Sequence, residues 1–208
     1  MEPLSRGDPG PATTVSFLKK SERLAQEAVV KGTMIQAHLA WIEGRFADAR
    51  ERLLARLSSD SAQYVRRAIL ATDWIPLCTL VEVDKAIAEI AGGAPQAVFR
   101  ELGRHSATTN LSGAYKTFAP EDPHRFFEQM TLLHRRFQNF GTSTYEPQGE
   151  RAGRIRIEGS DSYSPVFCGS SVGYYEGVLA VMNLPPVRCV ETRCQAAGSE
   201  CCEFDIAW

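Results

Sequence analysis

The hydrophobic period of this chain first changes at Gly141, and that change restricts the fold more than any other feature. From Val30 to Leu57 a stripe recurs every three to four residues, at Met34, Ile35, His38, Leu39, Ile42, Phe46, Ala49, Leu53 and Leu57. That spacing is the stripe of one long or broken helix, with Gly44 as its weak point. Beyond Gly141 the period is two. Ile155 and Ile157 alternate with Arg154, Arg156 and Glu158, which is the pattern of a strand with one solvated face. TSTYEP and RIRIEG flank a turn at Gln148-Gly149-Glu150, so they predict a hairpin. A helical stretch follows, FCGSSVGYYEGVLAVMNL, ended by Pro185-Pro186. The closing residues VRCVETRC and CCEFDIAW predict a second hairpin, with Phe204, Ile206 and Trp208 on one face. Helices followed by strand–strand–helix–strand–strand imply an α+β fold, with N-terminal helices packed on a four-stranded antiparallel sheet.

Local signals place the breaks. Ser58, Ser59 and Asp60 stop the first stripe and can cap a helix over about 61–71. Thr79 and Glu82 have capping-box spacing ahead of Val83, Ala86, Ile87 and Ile90. Gly92-Gly93 ends that helix, and another starts near Pro95. Asp122-Pro123 pairs an N-cap with a proline at the first helical position, and the helix it opens carries Phe126, Met130, Leu133, Phe137 and Phe140 up to Gly141. Residues 1–15, with three prolines and two glycines, read as a flexible tail. This divides the chain into a tail (1–15), a helical extension (16–57) and a domain (58–208).

Composition excludes several function classes. With 23 Lys and Arg against 25 Asp and Glu, the formal charge is −2. A basic face for nucleic acid is absent. No run of 18 apolar residues occurs, so no membrane span is expected. The first residues lack the apolar core of a secretory signal, which points to the cytoplasm and to reduced cysteines. The histidines have no H-x3-H or H-E-x2-H spacing, and no G-x-S-x-G or glycine-rich nucleotide fingerprint appears. An enzyme is therefore not expected.

Five of the six cysteines fall in the last 41 residues. Cys168, Glu191, Cys194 and Cys202 stand out as a set, with spacing C-x22-E-x2-C-x7-C. Cys168 opens the late helix, and the hairpin brings Cys194 and Cys202 together. Three thiolates and a carboxylate would suit a tetrahedral zinc. Residues 191 and 194 would face opposite sides of an ideal strand, so the set requires a bulge or early turn at Thr192–Arg193. The alternative is buried inert thiols with a surface glutamate. Gly169, Gly173 and Gly177 lie on one helix face, and close packing on a neighbour explains them without a ligand.

The stretch from GYYEGVLAVMNL to the last residue resembles the four-vinyl-reductase domain, with its G-x3-G helix and C…C-x-F hairpin. The four-ligand spacing is similar to the zinc site in the aromatic-effector-sensing domains of phenol-responsive transcription activators. DW-I-P at 73–76, F-R-E-L-G-R at 99–104, L-S-G-A-Y at 111–115 and G-S-x-x-G-Y at 169–174 resemble a myxobacterial paralogous family of unknown function. The usual Gly-Asp of the last turn is Gly198-Ser199 here, and no Y-x-S-x-R signature for heme propionates occurs. The resemblance implies the superfamily of heme nitric-oxide-binding domains and trafficking-complex (TRAPP) subunits, in which a pocket lies between helices and sheet and homodimers are common.

Within that frame Trp74, His105, Tyr115, Phe126, Met130, His134 and Phe137 are candidate pocket residues for a small hydrophobic or aromatic ligand. Plain core remains the alternative for the aromatic cluster, and Trp74 could equally anchor a helix junction. The functional expectation is a non-enzymatic cytoplasmic sensory module with a structural zinc, signalling through a protein partner. A ligand-free interaction scaffold of the TRAPP kind and a heme-based gas sensor are the alternatives.

Overall fold

The computed structural model describes residues 28–112, 122–160, 162–184 and 187–208. The tail prediction for 1–15 and the candidate Tyr115 lie outside them. Among the described residues there are seven α-helices: α1 (Gly32–Glu43), α2 (Ala49–Leu54), α3 (Ser59–Arg66), α4 (Leu77–Ala91), α5 (Pro95–Ser112), α6 (Pro123–Phe137) and α7 (Pro165–Val181). The strands are β1 (Val29–Lys31), β2 (Trp74–Pro76), β3 (Thr142–Gly149), β4 (Ala152–Glu158), β5 (Arg188–Arg193) and β6 (Cys202–Ala207). β3 to β6 form one antiparallel sheet in the order β3-β4-β6-β5. The architecture is α+β.

Alternation decides which face of the sheet is buried. Ile155, Ile157, Phe204 and Ile206 are nearly inaccessible, and Trp208 extends the same face. Phe127 and Tyr175 cross this face edge-on or tilted, Tyr175 at 5.4 Å from the Phe204 ring. The opposite face carries cross-strand ion pairs, with Arg154 bonded to Asp205 and Arg156 to Glu203. Glu203 is only 4% exposed because both arginines and Thr192 close over its carboxylate.

The first stripe divides at Gly44 into α1 and α2. Its side chains Ile35, Ile42 and Leu53 join the same core as the helices after residue 58, so the described part of the N-terminal stretch packs continuously with the rest. Two short features are invisible in the sequence pattern. β1 pairs antiparallel with β2, Val30 opposite Ile75. Val30 also bridges to Gln138, and Asn139 N–H donates to Val29 O. That bridge holds Gln138 in extended backbone, so α6 ends at Phe137, one turn earlier than the expected stop at Gly141.

Helix ends follow the local chemistry, with one correction. Ser58 caps α3, Asp122 caps α6 with Pro123 behind it, and Ser164 caps α7 with Pro165 behind it. Thr79 and Glu82 form no capping box, because α4 begins at Leu77, ahead of both. Glu82 reaches instead to the backbone N–H and hydroxyl of Ser58 and to the Ser61 hydroxyl, tying α4 to α3.

The closest helix pair is α5 with α7. A Cβ on Gly103 would fall 1.9 Å from Ser170 O, and one on Gly173 would fall 1.8 Å from Arg100 O. The absence of side chains at these positions lets the two backbones touch. Glu176 on α7, buried, accepts from Arg100 and Arg104 on α5, with Arg104 Nη2 at 2.8 Å. The G-x3-G-x3-G face is therefore packing.

Candidate metal centre and adjoining cavity

Three elements converge at one end of the sheet. α7 brings Cys168 in its first turn, β5 brings Glu191, Cys194 follows just past the end of β5, and β6 opens with Cys202. The register of β5 on β6 steps between Glu191 and Arg193, an irregularity at Thr192. This is the bulge that the spacing demanded, and it turns residues 191 and 194 to the same side. The four ligand atoms lie within 4.8 Å of one another.

Their separations can be tested against a metal. Cys168 Sγ lies 3.6 Å from Cys202 Sγ and 3.9 Å from Cys194 Sγ. Two sulfurs on a tetrahedral zinc, each about 2.3 Å from the ion, stand about 3.8 Å apart. The observed pair brackets that figure. Glu191 Oε1 is buried and receives no hydrogen bond from an N–H or O–H group, whereas buried oxygens are ordinarily satisfied. Gln195 N–H donates to Cys202 Sγ at 3.4 Å. The residues fit zinc, and three thiolates with a carboxylate close the shell and leave no position for a reacting water.

The thiols share charge unevenly. The hydrogen bond from Cys168 draws Cys202 down to about 7 against the opposing effect of burial, with help from Gln195 N–H. That same bond and burial push Cys168 up, and desolvation beside Glu191 raises Cys194. Cys189 and Cys201 are buried thiols outside the cluster, and Cys78 is exposed.

Beside Cys168 on α7 lies a cavity of about 120 Å³ between the helices and the sheet. Thr33, Met34 and His38 line it from α1, Leu80 from α4, and Ser106 and Asn110 from α5. Met130, His134 and Phe137 of α6 form another wall, and Ser143 and Ile157 supply the sheet side. α7 closes it with Phe167, Ser170, Ser171, Tyr174 and Tyr175.

Three of the candidate pocket residues thus line the cavity: Met130, His134 and Phe137. Phe126 does not. It sits a turn before Met130 and packs edge-on against Phe127, 5.5 Å between centroids. His105 does not either, because adjacent residues point about 100° apart on a helix and its neighbour Ser106 takes the inward position. Trp74 is 41% exposed and lies under Lys31 Nζ, 4.0 Å from the ring centroid, so it anchors the β1–β2 ribbon instead.

The polar residues of the cavity were missed. His38 appeared only as part of a helical stripe, yet its Nδ1 meets Asp84 Oδ1 at 2.6 Å, both side chains being buried. A carboxylate only accepts, so Nδ1 carries the proton. Asp84 occupies an apolar face of α4 at its i+4 spacing from Leu80, and a charged residue amid Val83, Ile87 and Leu80 was the available signal. His134 Nε2–H donates to Phe140 O at 3.0 Å, and burial lowers its basicity.

No protein-family model matches this sequence, and no curated protein matches it. Solved structures do match by fold. An H-NOX protein from S. oneidensis in the Fe(II)NO ligation state superposes with a TM-score of 0.66 at 12% identity, over 85% of this chain and 97% of the other. The Fe(II) unliganded H-NOX protein mutant from K. algicida gives 0.65 at 10% identity, over 85% and 95%. An oxygen-binding H-NOX domain related to soluble guanylate cyclases gives 0.64 at 14% identity, over 85% and 94%. The chain shares the fold of these heme nitric oxide/oxygen-binding domains.

The cavity does not fit their cofactor. Its 120 Å³ is below the roughly 300–1,000 Å³ of pockets that enclose drug-sized ligands, and a heme is no smaller than such ligands.

Proposed function

We propose that this chain is a non-enzymatic small-molecule-binding sensory module of the four-vinyl-reductase type, with a structural zinc held by Cys168, Glu191, Cys194 and Cys202. The observation that carries the reading is the double duty of α7. Its first turn contributes Cys168 to the four-ligand cluster, and Phe167, Ser170, Ser171, Tyr174 and Tyr175 of the same helix wall the cavity. Zinc would pin that end of α7 to the β5–β6 ribbon. An occupant of the cavity would press on the same helix and bias its packing against α5, the change a protein partner would read. A TRAPP-like scaffold needs no such space. The module needs none of the chemistry of an enzyme, and the closed shell of the cluster supplies structure only.

Native mass spectrometry of protein purified from its own host tests this directly, because it reports metal, small molecule and subunit count together. About one zinc per chain is expected, with loss of the metal in Cys194→Ala. Chelation should lower the melting temperature by about 5–10 °C, since a metal present at a hundredfold its Kd stabilises by about 2.7 kcal/mol and a domain of this size shifts 2–4 °C per kcal/mol. Zinc-free protein whose melting ignores chelators would refute the metal assignment.

A further inference from the structure

The helical end of the cavity carries polar groups that packing does not use. Thr33 Oγ1 and Ser106 Oγ are buried and have no hydrogen-bond partner among the described residues. Their residues are 8% and 4% exposed, and both line the cavity. Unpaired buried hydroxyls are rare in folded proteins and ask for an explanation. His38 lines the same cavity, and its Nδ1–H is committed to Asp84. In the neutral imidazole the remaining ring nitrogen, Nε2, is then an acceptor. Two hydroxyls able to donate and one imidazole nitrogen able to accept come from α1 and α5, which pack on each other.

The surface of the remaining wall is mainly apolar, with Met34, Leu80, Met130, Ile157 and Phe167, and Asn110, Ser143, Ser170 and Ser171 add polar groups to it. Water beside the apolar side chains would lack partners there, and ordered waters need two to four. Among the described residues no Lys, Arg, Asp or Glu lines the cavity, so a charged occupant would meet no counter-charge from them. A cavity of about 150 Å³ holds benzene, so 120 Å³ limits the occupant to about one small ring.

We infer that the cavity takes a small neutral molecule with a compact apolar body and one head that both donates and accepts a hydrogen bond, read by His38 Nε2, Ser106 and Thr33, with Asp84 as the residue that positions His38. This rests on the ligand-binding reading of the cavity and names the chemistry it selects. A hydroxyl satisfies it: its proton goes to His38 Nε2, and its lone pairs accept from Ser106 and Thr33.

The test uses zinc-loaded full-length protein with cyclopentanol, cyclopentane and cyclopentanecarboxylate, followed by ligand-observed NMR and calorimetry. In a cavity without a polar end the hydrocarbon would bind best, because an unpaired hydroxyl is costly to bury. Here cyclopentanol should bind at least as tightly as cyclopentane, and the carboxylate should not compete. Ser106→Ala should weaken cyclopentanol by about threefold to tenfold, the worth of one hydrogen bond, and leave cyclopentane unchanged. It should not lower the melting temperature of the ligand-free protein, since the lost hydroxyl had no partner. Asp84→Asn should likewise weaken the alcohol alone. Preference for the hydrocarbon or the carboxylate, or a Ser106→Ala variant that binds the alcohol unchanged, would overturn the inference and leave the sensory reading standing. Failure of all three probes to bind would overturn both.

Discussion

Replacing Gly173 by alanine should force α5 and α7 apart, and the size of the effect can be worked from the backbone. The new Cβ would sit 1.8 Å from Arg100 O, about 1.2 Å short of the 3.0 Å that real Cβ contacts respect. The obstacle is main chain of a neighbouring helix and cannot rotate away. Gly169→Ala is the control on the same helix. Its Cβ meets Gln96 Oε1 at 2.9 Å and Phe99 Cβ at 3.1 Å, and the first of these is the end of a flexible side chain. Both changes gain about 1 kcal/mol of helix propensity. Overpacking costs about 1–3 kcal/mol and belongs at the upper end where backbone must move. A gap of about 1 Å opened elsewhere along the pair also forfeits a quarter to a half of each contact it stretches. The two variants should therefore differ by about 2–3 kcal/mol, with Gly169→Ala close to the parent. Thermal melting should show Gly173→Ala about 5–10 °C below Gly169→Ala. Equal melting temperatures would refute the claim that the glycine face exists for backbone contact.

The same helix pair supplies a second test. Glu176→Gln removes the charge that Arg100 and Arg104 share and should cost about 2 kcal/mol by urea denaturation; a variant as stable as the parent would mean that the arginines find other acceptors at no cost. Stability should also fall in acid. Burial alone would raise Glu82, Glu176 and Glu203, but hydrogen bonds from Ser61 and Ser58, from Arg100 and Arg104, and from Arg156 and Thr192 respectively hold each below the ordinary 4.5. A depressed folded-state pKa means stabilisation that is complete above 4.5 and lost as pH drops through the lower folded values. The urea midpoint should therefore decline from pH 5 towards pH 3, and a flat or rising midpoint would show that these contacts do not persist in solution.

Much of the fold was legible because its signals are local. The period change at Gly141 marks the border between helices and sheet. Ser58 and Asp122 stand where caps are observed. The alternation of Ile155 and Ile157 with arginines predicts which face is wet. The metal-ligand set was legible for a related reason: soft donors are scarce, so their spacing carries information, and it even required the irregularity found at Thr192. The β1–β2 ribbon was not legible, because three-residue strands show no period. The early end of α6 was hidden too, since the competing bridge comes from Val30, more than a hundred residues earlier in the chain.

The cavity divides along the same line. The apolar face of α6 follows from helical spacing, and the family resemblance singles out Met130, His134 and Phe137 on it as pocket residues. Thr33, His38, Ser106 and Asp84 look ordinary in sequence, because a hydroxyl or a histidine on a helix becomes chemical only through what it meets across the core. Local propensity and periodicity are written along the chain and determine elements, their caps and the wet face of the sheet. Which buried polar groups pair, and which stay unpaired around a space, depends on contacts between helices far apart in sequence, and only the packed tertiary structure decides them.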